Sequence, residues 1–221
     1  GINVHYCGHP LIKQLPEKAD REQFFAKHGL DTTRPLVSIF PGSRTIELRF
    51  LANTFIKSAK QLQKKHPEIQ FCISHAPNLS DDIFDKYING TDFKVIKGEN
   101  QALLSISDSL ILASGTVALE AALYQIPMII GYKGPWILYL AYLMVRCIKK
   151  VSLPNIITGE DIVPELIQAK FNTENICYET EKNLYNKEYR IGFISALGKV
   201  KEKLSDKYSA EEAANEIIKT L

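Results

Sequence analysis

Two short stretches carry residue types that could hold an anion. Ser114, Gly115 and Thr116 follow the apolar run "SLILA" and open the helical text "VALEAALY", with one acid, Glu120, a turn inside it. A helix starting there would aim unpaired backbone N–H groups, and the positive end of its dipole, beyond the end of the strand. That setting suits a phosphate. Ser114 and Thr116 are candidate caps, and Gly115 leaves room for close approach. Glu120 would stand about 6 Å further up the axis than Thr116, at ~1.5 Å per residue. At that position a carboxylate is placed to accept hydrogen bonds from ribose hydroxyls. Amides for phosphate and an acid for sugar follow the logic of dinucleotide-binding folds. Taken alone, the same text also describes a capped helix with a dipole-stabilising Glu.

The second stretch, "SIFPGSRTIE" (38–47), ends a buried strand at Pro41, Gly42, Ser43 and Arg44. Gly42 permits a positive φ, Ser43 can cap, and Arg44 offers a forked cationic donor. A plain Pro-Gly turn with a surface Arg is the competing description. Neither stretch is a P-loop, and no G-x-G-x-x-G occurs, so neither a P-loop kinase nor an ordinary NAD site is indicated. Asn155 lies in a Pro-broken stretch, "VSLPNIITGEDIVPELIQ" (151–168), expected as a loop near the same crevice. His5 and His9 are four apart but flank a Gly-Pro break and so lack the helical geometry of a metal pair. His75 follows a strand end where it could face the cleft, and all three read as bystanders. No metal site and no cofactor is expected.

These junctions need a scaffold, and the chain supplies one as alternating strand and helix text. "INVHYC" (2–7), "LVSIF", "IQFCIS", "DFKVIK", "SLILA" and "PMIIGY" read as strands. Helical patterns lie between them, the clearest being the amphipathic "RFLANTFIKSAKQLQKKH". Such alternation predicts an α/β fold, a Rossmann-like parallel sheet with helices on both faces. Ligands of such sheets sit at the carboxyl ends of the strands, where both stretches fall. From about Asp161 the text reads as helices only. The expected division is a strand and connector (1–18), a Rossmann-like domain (19–160) and C-terminal helices (161–221).

Composition limits the partners. The 221 residues are 45% hydrophobic and 24% charged with a net charge of +2, too small to imply nucleic-acid binding. The four cysteines are far apart, so neither a disulfide framework nor a zinc site is suggested, and a reducing compartment is expected. "GPWILYLAYLMV" (134–145) is too short for a bilayer span, which needs about 20 residues. It reads either as a buried sheet-covering helix or as a membrane-facing patch, with Lys133, Arg146, Lys149 and Lys150 toward anionic lipid. The opening "GINVHYCGHP" lacks a Met, and a longer protein with a preceding N-terminal part is expected.

Together "YCGHPL", "FPGSRTIEL", "ASGTVALEAAL", "PMIIGYK" and "VSLPNIITGEDIVPELIQ" resemble the C-terminal half of the lipid-A-disaccharide synthase family of bacterial glycosyltransferases. The resemblance covers essentially the whole chain. It implies the C-terminal half of a GT-B fold, with residues 1–18 as an interdomain connector and 19–160 as the domain that binds the UDP-sugar donor. The implied reaction is inverting and metal-independent. It transfers 2,3-diacylglucosamine from UDP to 2,3-diacylglucosamine 1-phosphate and releases UDP. On this basis Gly42, Ser43 and Arg44 are assigned to the diphosphate or donor-sugar side, with Arg44 stabilising the leaving group. Ser114, Gly115 and Thr116 face the phosphate, Glu120 the ribose, and Asn155 the donor pocket. Glu47 and Glu165 match family positions as site residues or loop braces.

The implied location is peripheral, on the cytoplasmic face of the inner membrane of a Gram-negative-type bacterium. A lipid acceptor bound through a second domain, an anionic membrane surface and a homodimer are the implied partners. Three departures stand out: Ala118 where the family often has a second Thr, a missing acid near Lys13, and the absence of the half bearing the acceptor site and the general base. A chain that binds UDP without turnover is therefore expected. The rival descriptions are another UDP-sugar GT-B enzyme and a non-catalytic nucleotide-binding or membrane-docking module.

Overall fold

A computed structural model describes residues 4–135, 150–204 and 209–220. Six parallel strands form one sheet: β1 (Leu36–Phe40), β2 (Gln70–His75), β3 (Lys94–Lys97), β4 (Ser109–Ala113), β5 (Met128–Tyr132) and β6 (Glu165–Ile167). Their order is β3-β2-β1-β4-β5-β6, and β1, β2 and β4 are buried along their whole length. Continuous apolar runs suit strands covered on both faces. The edge strand β3 is blunted by exposed Lys94 and Lys97, which discourage further pairing. The chain turns one way from β1 to β3 and the other way from β4 to β6. The reversal therefore lies between β1 and β4.

Helices α1 (Leu11–Gln14), α2 (Arg21–His28), α3 (Thr45–Lys65), α4 (Asp85–Ile88), α5 (Asn100–Ile106), α6 (Val117–Leu123), α7 (Leu153–Thr158), α8 (Thr173–Tyr185), α9 (Lys187–Leu204) and α10 (Ser209–Thr220) complete the unit. One core joins the sheet to α2, α5, α6 and α9 through Phe25, Leu36, Leu103, Leu110 and Leu197. The other joins the opposite face to α3 and α8 through Ile39, Phe55, Ile73, Ile111 and Ile176. Both faces are closed, so the sheet carries its own core. Along α3 the buried residues Leu48, Leu51, Ala52, Phe55, Ile56, Ala59 and Leu62 recur at helical spacing. Phe55 meets Phe171 edge-on, with ring centroids 5.1 Å apart. Gly131 on β5 makes room for this pair, since a Cβ there would stand 2.4 Å from Phe171 and 2.8 Å from Phe55.

Four sequence expectations are corrected. Residues 4–7 form no strand: neither sheet edge takes them, and an unpaired extended segment is not a strand. The segment after Asp161 is not helical throughout. Its "PELI" text supplies β6, which pairs with β5 in the register Ile130↔Glu165. Pro164 disfavours a helix running through this point, and its carbonyl accepts the Ile130 N–H at 2.9 Å. "SDDIFDKYI" forms only the single helical turn α4. Asn155 lies in the helix α7, with Pro154 in its first turn, and not in a loop. Most of the apolar stretch 134–145, from Trp136 onward, lies outside the described residues. Among those described, no helix is long and apolar enough to cross a membrane.

Candidate functional site

The reversal between β1 and β4 opens a cavity of about 420 Å³, lined by Gly42, Ser43, Arg44, Glu47, Ser114, Gly115, Thr116 and Glu120 among others. Two stretches some seventy positions apart in the chain thus share one crevice. In open α/β sheets ligands bind at this kind of switch point.

The loop after β1 is held by its own helix. Gly42 adopts φ +106°, a left-handed conformation that disfavours a side chain. Glu47, in the first turn of α3, turns back on the loop. Its Oε2 accepts the Ser43 N–H at 3.1 Å and the Arg44 N–H at 3.4 Å, while Oε1 meets the Arg44 guanidinium at 3.3 Å. This carboxylate already fills the loop's amide nest, so Glu47 braces the loop. Asn78 adds a bond from its amide to the Ser43 carbonyl at 2.6 Å. The Arg44 side chain is 77% exposed, leaving its remaining donors toward the crevice.

The loop after β4 is differently made. Ser114 and Thr116 do not cap α6. Thr116 already has helical dihedrals and makes no side-chain capping bond, and the Ser114 hydroxyl makes a long bond (3.4 Å) to the Val151 carbonyl. The amides of Gly115, Thr116 and Val117 have no acceptor among the described residues, as the opening of a helix dictates. Glu120 is half-buried in the wall. Desolvation raises its carboxyl above the usual range, and a hydrogen bond from Gln101 partly offsets this. A hydroxyl-rich ligand donating to that carboxylate would relieve the penalty.

Asn155 does not line the cavity. It is 1% exposed, and both ends of its amide are used within the chain. Oδ1 accepts the N–H groups of Ile162 and Val163 at 2.9 and 2.8 Å. Nδ2 donates to the Val163 carbonyl and to Glu165 at 2.9 and 2.8 Å. Glu165 also accepts from the Val151 and Ser152 amides and the Ser152 hydroxyl. The motif "SLPN…VPEL" is thus a clasp tying α7 to β6, with Glu165 as brace. Among the described residues its link to the crevice is the bond between Ser114 and Val151, the residue that precedes the motif. The sequence pattern located the motif but not the direction of its side chains.

Ser74, Ala76, Asn100 and Leu104 also line the cavity and were not expected from the sequence. No short motif marks them, since they come from the end of β2, the residue after it and α5, and meet the crevice through the strand order. His75 is turned inward, with its Nε2 3.0 Å from the Ser80 carbonyl and its ring edge-on to Phe84.

A family model described as lipid-A-disaccharide synthetase matches residues 1–218. The chain belongs to that family. The lipid-A-disaccharide synthase of Geobacter sulfurreducens is 33% identical over 223 residues, covering 100% of this chain and 58% of the relative. That of Trichlorobacter lovleyi is 35% identical over 207 residues, covering 92% and 54%. The chain therefore spans little more than half the length of these family members.

Solved structures agree on the fold. The S. aureus MnaA–UDP structure matches with a TM-score of 0.63 and 11% identity, over 96% of this chain and 52% of that one. Anabaena HepE in complex with UDP-glucose gives 0.62 and 12%, over 97% and 56%. The C-terminal domain of a glycosyl transferase group 1 family protein from Francisella tularensis gives 0.56 and 15%, over 85% and 94%. The six-stranded parallel sheet with helices on both faces is that of a GT-B C-terminal domain.

Proposed function

We propose that this chain is the donor-binding half of a lipid-A-disaccharide synthase, holding UDP-2,3-diacylglucosamine for transfer to 2,3-diacylglucosamine 1-phosphate. The observation that carries this reading is the convergence of residues 42–44 and 114–120 on one cavity at the sheet's switch point. The diphosphate sits against the free amides of Gly115, Thr116 and Val117, with the exposed Arg44 guanidinium reaching it from the facing loop. Glu120 takes the ribose hydroxyls. As the sugar–phosphate bond breaks, negative charge grows on the departing UDP, and pre-placed amides and one guanidinium stabilise it without reorganisation. This reading takes the transfer as inverting and metal-independent.

An inverting transfer also needs a base to take the acceptor hydroxyl's proton. Of the carboxylates lining the cavity, Glu47 is committed to its loop and Glu120 to the sugar. The base and the site of the lipid acceptor belong to the other half of the enzyme. Peripheral attachment to an anionic membrane through residues 134–148 belongs to the same reading and rests on sequence alone.

The experiment is direct: the 221-residue chain is assayed for UDP binding by calorimetry and for disaccharide formation by chromatography. Saturable UDP binding without product supports the reading. Disaccharide formation by the chain alone would place the base within it and contradict the division proposed.

A further inference from the structure

One wall of the cavity is used by neither the diphosphate nor the ribose. Ser74 is the penultimate residue of β2, and Asn100 begins α5. The buried Ser74 hydroxyl donates to Asn100 Oδ1 at 2.8 Å. This bond sets the orientation of the amide, with its oxygen toward Ser74 and its nitrogen on the opposite side. Among the described residues Nδ2 has no acceptor, and Asn100 is only half-buried against the open cavity.

Leu104 lies one helical turn beyond Asn100, on the same face of α5. With Phe40 and Ala113 it forms a buried apolar bed beside that amide. Asn100 and Glu120 line the same cavity. A ribose held at Glu120 therefore shares the cavity with this wall, which is open to what the sugar carries on its far side. An apolar bed with one oriented polar group suits a flat heteroaromatic ring, which gains area from its face and specificity from its edge.

We propose that Asn100, its amide fixed by Ser74, recognises the nucleobase of the donor, and that a uracil edge is the one it fits. This rests on the UDP-sugar reading above. Uracil presents a carbonyl beside a ring N–H. Nδ2 donates to the carbonyl, and the second lone pair of Oδ1 accepts the N–H. Cytosine replaces that pair with an amino donor beside a ring acceptor, and so sets donor against donor at Nδ2. Setting donor against donor, with neither free to turn, is what makes such sites selective.

The test is calorimetric titration of the 221-residue chain with UDP, CDP and inorganic pyrophosphate. For Asn100→Ala the expected result is UDP affinity reduced about tenfold, with pyrophosphate affinity unchanged. Ser74→Ala, which frees the amide to turn, narrows the preference for UDP over CDP while leaving pyrophosphate binding intact. Asn100→Asp, which only accepts when ionised, shifts the preference toward CDP and controls for misfolding. Equal losses for UDP and pyrophosphate in Asn100→Ala, or no loss at all, would overturn the base assignment alone. Wild-type protein that binds neither UDP nor pyrophosphate would overturn the donor-site reading beneath it.

Discussion

Glu47 occupies the space that a side chain at Gly42 would need: a Cβ on Gly42 would stand 2.2 Å from Glu47 Oε2. The same oxygen accepts the Ser43 and Arg44 amides, so one glycine and one carboxylate together set the loop that carries Arg44. Neither substitution nor slippage is free at this point, because Gly42 also has a positive φ.

Gly42→Ala is therefore expected to destabilise the chain by about 1–3 kcal/mol, through left-handed strain and displacement of Glu47. UDP binding falls with it as Arg44 loses its position. Gly115→Ala is the contrast, since a Cβ there meets nothing within 4 Å. Its melting temperature should match that of the wild type. Thermal unfolding of the two variants side by side checks both statements, and equal losses would contradict the brace.

Glu120 makes the site pH-sensitive. Burial raises its carboxyl, so the ligand-free chain holds the proton to higher pH than an ordinary Glu does. Ribose hydroxyls favour the ionised form, so binding expels that proton. UDP affinity should rise with pH through the raised pKa and level off above it. Glu120→Gln removes this component of the profile, which separates it from titration of the phosphates. Glu120→Ala weakens UDP binding by about 1–3 kcal/mol.

The same shift has a stability consequence with a fixed sign. A raised folded-state pKa contributes stability that is complete below the unfolded pKa and lost as pH rises through the folded one. At neutral pH the ligand-free Glu120→Gln variant is therefore expected to melt above the wild type, with the difference closing in acid. Melting curves at several pH values read this directly.

Asn155 separates bracing from contact. Asn155→Ala leaves the amides of Ile162 and Val163 without their acceptor in a buried setting. It should lower stability by about 1–3 kcal/mol or more. UDP affinity, measured well below the melting transition, should change little. A selective loss of affinity at unchanged stability would instead place Asn155 on the ligand.

Much of this was legible in the sequence because the physics involved is local. Doubly covered strands such as Leu36–Phe40 and Ser109–Ala113 must be continuous apolar runs, and a loop with positive φ must offer a residue such as Gly42. The two stretches that line the cavity were visible for the same reason. The strand at Glu165–Ile167 was not, because three residues carry no periodicity and only pairing to β5 makes them a strand. Asn155 carries no mark of burial in its neighbours, and its role depends on Glu165 ten residues away. Ser74 and Asn100 are brought to the cavity by the order of β2, β1 and β4, a long-range relationship that local pattern does not encode.

The central claim is that a UDP diphosphate lies between the loop at Ser43–Arg44 and the opening of α6. Backbone amide shifts followed by NMR during a UDP titration test it most directly. Saturating shifts at Ser43, Arg44, Gly115, Thr116 and Val117, lost together in Glu120→Ala at the same UDP concentration, are the expected result. Saturable binding whose shifts lie away from both loops, or no binding at millimolar UDP, would contradict it.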